Sequence, residues 1–337
     1  MASDGPPNLP AADAASALPP APANDLPAER LRLRPDEAGR LAVTPAQAGW
    51  RYLTFETTSL AAGERMAPAR SDQETLVVIV AGGGLDLEQG GGRPGPATER
   101  LAGRISPFAD LPSAVYLPPG TEAGLIGRPA AGSSAVGLAI GRAPVAGASR
   151  RPALIGDRAP GPIVIRPADV AVEIRGAGQA TRQVNHIVRP DFPARRLLAV
   201  EVVTPAGNWS SWPPHKHDVD AMPDEAVLEE IYHYRFRDRR AWGIQRLYRR
   251  PGSPVGGPRD ALWAVRDGEV VIVTDGYHPF VAAPGHDAWY LNILAGDRRT
   301  MACSDDPDQA GARQTWVSLA PDPRLPLVPA RRPEGRP

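Results

Sequence analysis

The chain has 337 residues, with Lys+Arg and Asp+Glu balanced at 38 each. Without a positive surplus it has little with which to hold a nucleic-acid backbone or an anionic membrane surface, so a small molecule is the expected partner. Forty prolines and 34 glycines favour turns and short elements over long helices, and the length accommodates about two domains, so an all-β protein of two similar halves is expected.

Residues 1–29 are rich in Ala, Pro and Asp with few large apolar side chains, too few to offset the entropy of ordering, and read as a disordered tail. The first residues lack the basic and apolar regions of a secretory signal, and the lone Cys303 has no intramolecular disulfide partner. The longest apolar runs, such as residues 76–81, fall far short of the roughly 20 residues of a membrane span. A cytoplasmic protein without a transmembrane segment is expected.

From Leu31 onward short apolar segments alternate with turn signals: residues 50–55 (WRYLTF), residues 75–80 (TLVVIV) before Gly82, and residues 114–117 (AVYL) before Pro118. These predict strands joined by tight turns, forming a barrel or sandwich over residues 30–148. A stretch rich in Pro, Gly and Arg at 149–162 is the expected linker. The second β-rich region covers 163–321, with candidate strands at 196–203, 228–236, 242–248, 269–273 and 288–294. Residues 322–337 read as a second unstructured tail.

All six histidines, at 186, 215, 217, 233, 278 and 286, lie beyond residue 185. Only the second half can therefore build an imidazole site, and the first is expected to be structural or an assembly surface, as in a homo-oligomer. In residues 212–218 (WPPHKHD), His215 and His217 are two apart, so on an extended strand both rings point to one side. The next strand, residues 228–236 (LEEIYHYRF), offers Glu229 and Glu230 with opposite parity. Glu230 is the ligand candidate because it shares a face with Tyr232, Tyr234 and Phe236, whereas Glu229, His233 and Arg235 face out. The third element, residues 268–278, is a strand and Gly turn that delivers His278. Three imidazoles and one carboxylate suit a divalent Mn, Fe, Co, Ni or Zn ion. For His186, His233 and His286, surface or structural hydrogen bonding is expected.

All but one of the 38 basic residues are arginine, and the exception, Lys216, lies between the two imidazoles of the HxH. Parity directs it away from the metal. It is either an outward-facing cation in a crowded place or a compact ammonium required near the substrate as a catalytic group.

The order HxH, Glu, Gly-rich strand with His, then Asn resembles the two motifs of cupins. More narrowly, residues 207–218 (GNWSSWPPHKHD), 228–236, 245–248 (QRLY), 276–279 (GYHP) and 290–296 (YLNILAG) resemble the 5-deoxy-glucuronate isomerase family of myo-inositol catabolism, as do 115–120 (VYLPPG) and 172–176 (VEIRG) upstream. The resemblance implies a bicupin of two jelly-roll barrels and interconversion of 5-deoxy-glucuronate with 5-dehydro-2-deoxy-gluconate. It also places a metal set like that of related uronate isomerases on His215, His217, Glu230 and His278. Thr274-Asp275, His286 and Met301 depart from the pattern. Competing readings are a uronate isomerase of pectin breakdown and a metal cupin dioxygenase; a sugar-sensing regulator finds no helix-turn-helix pattern here.

Aldose–ketose isomerisation needs a base at one carbon and charge stabilisation on the neighbouring oxygens, most simply through an enediolate, with hydride transfer as the rival route. Tyr234, Gln245, Tyr290 and Asn292 are expected to line the pocket, with a tyrosine or a metal-bound hydroxide moving the proton. Arg246 and Arg175 are the candidates for the substrate carboxylate, because a guanidinium fork matches it in bidentate fashion.

Overall fold

The computed structural model describes residues 26–90, 98–146, 161–253 and 255–329. The expected N-terminal tail up to residue 25, most of the expected linker and residues 330–337 lie outside them. The described residues form two β-barrels, each a long sheet backed by a four-stranded one. In the second barrel the long sheet runs, in order, Arg32–Leu33, Val270–Val273, Glu229–Phe236, Ala288–Ala295, Leu197–Thr204, Arg182–Val188 and Ala171–Arg175. In the first it runs Ile163–Ile165, Ala114–Leu117, Gln73–Ala81, Ala135–Pro144, Thr54–Ala61 and Leu41–Val43.

The two halves exchange a strand. Arg32–Leu33 precedes the first barrel in sequence but pairs with Val270–Val273 of the second, held there by the fully buried Leu31 and by Arg32 and Arg34 on Glu269. Ile163–Ile165, which follows the first barrel, pairs back onto Ala114–Leu117. A boundary drawn at residues 30 and 162 therefore cuts across each sheet, because period-2 apolar patterning fixes which face of a strand is buried but not which sheet receives it.

The interiors differ in chemistry. In the first barrel, Leu60, Val77, Ile79, Leu85, Leu125, Val136, Leu138 and Ile140 belong to one buried apolar cluster. Across the matching central strands the first barrel pairs Val77 with Ile140 and Ile79 with Leu138. The second pairs Tyr232 with Asn292 and Tyr234 with Tyr290. One barrel is filled with aliphatic side chains, and the other is lined with hydroxyls and an amide.

The long sheets pack back to back. Gly141 lets them approach, since a Cβ there would lie 2.7 Å from Ile293 Cγ2. Each barrel also sends one glutamate into the other. Glu74 accepts the backbone N–H groups of Arg195, Arg196 and Leu197 at 2.6, 2.7 and 2.8 Å, and the Tyr116 hydroxyl at 2.7 Å. Glu229 accepts those of Arg51, Tyr52 and Leu53 at 2.6, 3.0 and 2.7 Å. This corrects two expectations. Residues 50–53 are the capped turn ahead of strand Thr54–Ala61 rather than part of it, and Glu229 faces out of its own barrel but is buried in the interface. Buried Arg104 adds a two-pronged ion pair with Glu201, at 3.1 and 2.8 Å.

Residues 322–329 are not a tail. Val328 is fully buried, and its N–H and C=O both bond the side chain of Gln183, at 3.0 and 2.7 Å. Leu327 packs against the core beside it, Asp322 is tied to Asn208 and Thr181, and Arg324 bonds the Ala206 carbonyl, so several contacts dock an otherwise polar, proline-rich segment.

Replacing Glu229 with Gln removes the charge and turns one acceptor oxygen into a donor facing buried N–H groups. The expected loss is about 3 kcal/mol, read as a fall in Tm of roughly 4 °C for a chain of this size. A Tm within a degree or two of the parent would show that the cap contributes nothing to joining the barrels.

Candidate metal and substrate site

His217 and Glu230 face each other inside the second barrel, and His278 comes in from the turn after Val270–Val273. His217 Nδ1 lies 2.9 Å from the Leu228 carbonyl, and His278 Nδ1 lies 2.8 Å from that of Gly276. A carbonyl only accepts, so in each neutral ring Nδ1 carries the hydrogen and Nε2 presents a lone pair. Both lone pairs aim at one carboxylate oxygen: Glu230 Oε2 is 2.9 Å from His217 Nε2 and 3.2 Å from His278 Nε2. Burial alone would raise the Glu230 carboxyl; hydrogen bonds that protonated imidazoles donate to it outweigh this and hold it at about 2, and the same contact raises His217 against its own burial. With the rings neutral, three acceptor atoms within 4.8 Å of one another repel unless a cation lies among them. His278 Nε2 is buried with no hydrogen-bond partner. The donor set and its orphaned nitrogen fit a divalent ion that accepts N and O ligands.

His215, the fourth expected ligand, stands beside them, its centroid 4.7 Å from that of His278 and 6.4 Å from that of His217, but it is not among the three residues whose ligand atoms converge within 4.8 Å. Burial pushes it well below the ordinary imidazole range, so it stays neutral. The short strand His215–Lys216 pairs with Ser304–Asp305.

Tyr232, Tyr234, Tyr290 and Asn292 share the face that carries Glu230, as strand parity requires. Tyr234 donates to Gln245 Oε1 at 2.6 Å, and Gln245 Nε2 donates to the His278 carbonyl at 2.8 Å. Gln245 thus ties a phenol to a candidate ligand. Tyr232 meets Ser211 Oγ at 2.9 Å, while Tyr290 lies 3.5 Å from the same Oγ, the longest of these contacts. Burial raises all three phenols, so they are protonated at neutral pH. Asn292 Nδ2 donates to the Ile231 carbonyl at 3.2 Å.

Three of the expected site residues are engaged elsewhere. Lys216 Nζ clamps Asp218 at 2.6 Å and Glu225 at 2.8 and 2.9 Å, and Asp218 in turn accepts the Gly276 N–H at 2.7 Å. The lysine therefore braces the loop behind the imidazoles and faces away from them. Arg246, on the outer side of Trp242–Tyr248, pairs with Asp260 through two 2.8 Å contacts and stacks on Tyr248. Arg175 lies on the site-bearing face, but its fork is filled by Glu173 at 2.8 and 2.7 Å.

Other residues emerge only from the fold. Ser211 holds a left-handed φ of 50°, an uncommon conformation for a non-glycine residue, and its hydroxyl joins two tyrosines. Asp275, a departure from the family pattern, is buried between Arg249 at 2.5 and 2.8 Å and Arg259 at 3.2 Å, fixing the turn before Gly276. His233 is not on the surface but is buried against Phe55 and Trp289 between the barrels, where burial lowers it to about 3. His186 bonds Glu173 at 2.9 Å, and His286 is exposed beside Asp238. Parity had placed Tyr232 on the inner face; its partnership with Ser211 had no sequence signal.

Among the described residues, no helix is long and apolar enough to cross a membrane. The chain is 37% identical over 279 residues to a Geobacillus kaustophilus protein named 5-deoxy-glucuronate isomerase, spanning 81% of this chain and 91% of that one. It superposes on the crystal structure of an IolB-like protein from Salmonella typhimurium with a TM-score of 0.71 and 33% identity, over 83% of this chain and 98% of the other. Bacillus subtilis oxalate decarboxylase OxdC aligns with a TM-score of 0.52 at 10% identity over 87% of each chain, a likeness of fold alone that agrees with a cupin architecture. The model of the KduI/IolB family matches residues 31–311, and with the relatives above this establishes that the chain belongs to that family.

Proposed function

We propose that the protein is an aldose–ketose isomerase that converts 5-deoxy-glucuronate to 5-dehydro-2-deoxy-gluconate in myo-inositol degradation. The observation that carries the reading is the convergence of three lone-pair donors, on His217, Glu230 and His278, beside three protonated phenols. His215, His217, Glu230 and His278 would hold one divalent ion, drawn from Mn, Fe, Co, Ni and Zn. That ion supplies Lewis acidity to the carbonyl and the adjacent hydroxyl oxygen.

The rest is done by the chain. Gln245 holds Tyr234 and His278 in fixed relation, so the phenol is oriented by the same side chain that braces a ligand. Tyr290, the least firmly bonded of the hydroxyls, is the group placed to hand a proton to a substrate oxygen and take it back. Its raised pKa makes it a donor rather than a resting base. Asn292 and Tyr232 offer hydrogen bonds to a polyhydroxy chain. The reading includes a cytoplasmic setting, where a lone thiol such as Cys303 remains reduced, and a homo-oligomer in which the aliphatic first barrel serves assembly.

The test is to quantify metal in the purified protein and follow 5-deoxy-glucuronate by NMR with and without a chelator. Conversion to the keto acid, abolished by chelation and restored by metal, is expected. Bound metal with an unchanged substrate would overturn the reaction, and a metal-free protein inert to added metal would overturn the site as well.

Phenylalanine at Tyr290 is expected to cut kcat by about a hundredfold if the phenol moves the proton, with metal content unchanged, and phenylalanine at Tyr234 by a similar factor. Near-parental rates in both variants would remove tyrosine from the proton path. Lys216→Arg is expected to keep kcat within about threefold, because either cation can answer Asp218 and Glu225. A much larger loss with metal retained would return the ammonium to the chemistry.

A further inference from the structure

Arg182 is 6% exposed, and among the described residues no carboxylate pairs with it. Its Nη1 donates to the carbonyls of Ala180 at 3.0 Å and Trp212 at 3.2 Å, leaving Nε and Nη2 without an acceptor among the described residues. That free edge is the side of a guanidinium that meets a carboxylate with two parallel hydrogen bonds. Gly176, with φ of 86°, makes the room: a Cβ there would lie 2.1 Å from the Ala180 carbonyl and 3.0 Å from Nη1.

The register puts this cation on the site-bearing face. Arg182 lies two residues before Val184, Val184 pairs with Val202, Val202 with Tyr290, and Tyr290 with Tyr234. Two inter-strand spacings and one two-residue step separate Arg182 from Tyr290, about 12 Å between their backbones, a gap that the two side chains and a six-carbon acid can fill. Arg182 raises the positive potential at Tyr290 and at His215. Its charge opposes the rise that burial gives Tyr290 and adds to the effect of burial that depresses His215. Burial lowers Arg182 itself to about 10, so it remains charged at neutral pH.

The neighbouring arginines are already neutralised: Arg175 by Glu173, and Arg313 by Asp305 at 2.5 and 2.9 Å. A buried cation without an anion is costly to keep. We propose that Arg182 binds the carboxylate of the substrate and selects a sugar acid over a neutral sugar, the metal taking the opposite, carbonyl-bearing end. The assignment replaces Arg175 and Arg246 in that role and rests on the isomerase reading above.

The test compares 5-deoxy-glucuronate with its C6 primary amide on metal-loaded parent protein, Arg182→Gln and Arg182→Lys, measuring Kd by calorimetry and kcat and KM by NMR. The parent is expected to prefer the acid. Arg182→Gln should raise KM and Kd for the acid about a hundredfold with little change in kcat, and leave the amide nearly unaffected, at parental metal content. Arg182→Lys, which keeps the charge but not the fork, should fall between, and it decides the matter if the Gln variant does not fold. Equal losses on acid and amide, a parental Kd for the acid in either variant, or no acid preference in the parent would each overturn the role of Arg182. A parent that binds the acid through Arg182 but never converts it would instead overturn the isomerase reading and leave the carboxylate site standing.

Discussion

Glu74 and Glu229 each leave their own barrel and gather three consecutive backbone N–H groups of the other. The two sites are counterparts. Each glutamate stands at or near the start of a central strand, and each capped triplet adjoins the start of a strand two places away in the opposite sheet. A buried carboxylate unmatched by donors would be prohibitively costly, so the two caps work in only one relative placement of the barrels. Burial pushes the Glu229 carboxyl up against the pull of its three amides, which shows how closely the two terms are balanced.

That fixed placement divides the central sheet of the second barrel into two chemically distinct faces. The back carries Trp289, Leu291, Ile293 and Glu201, and is sealed by the first barrel. The front carries Glu230, Tyr232, Tyr234, Tyr290, Asn292 and Arg182, and faces the imidazoles. The two neighbours Glu229 and Glu230 illustrate the division most directly. One residue of register separates a carboxylate that joins two domains from one that is held at about 2 by histidines.

The first barrel keeps the same frame with a different filling. Aliphatic pairs fill the positions that tyrosines and an amide occupy in the second, and such a core holds its geometry through close packing. The second barrel keeps polar groups inside, and most are answered in pairs: Tyr234 by Gln245, Gln245 by His278, His217 by Leu228. Among those left open are His278 Nε2 and the free edge of Arg182, where an ion and an anion would satisfy the site. Buried groups of this kind cost stability and are retained where function uses them.

Much of this was legible in the chain itself. Period-2 patterning located the strands 197–204, 229–236, 242–248, 270–273 and 288–295 to within a residue or two, and parity alone separated Glu230 from Glu229, because alternation along a strand is a local property of the backbone. The spacing of His215 and His217 and the Gly turn before His278 are likewise local. Tertiary structure alone decided which sheet received Arg32–Leu33 and Ile163–Ile165, that Val328 docks, that Lys216 braces a loop, and that Arg182 rather than Arg175 or Arg246 stands without a carboxylate. Nearly every basic residue in this sequence is arginine, so residue type could not discriminate among them. What distinguishes a guanidinium poised for a ligand from one spent on a neighbour is the pairing of side chains distant in sequence, and that pairing is set only when the strands are assembled.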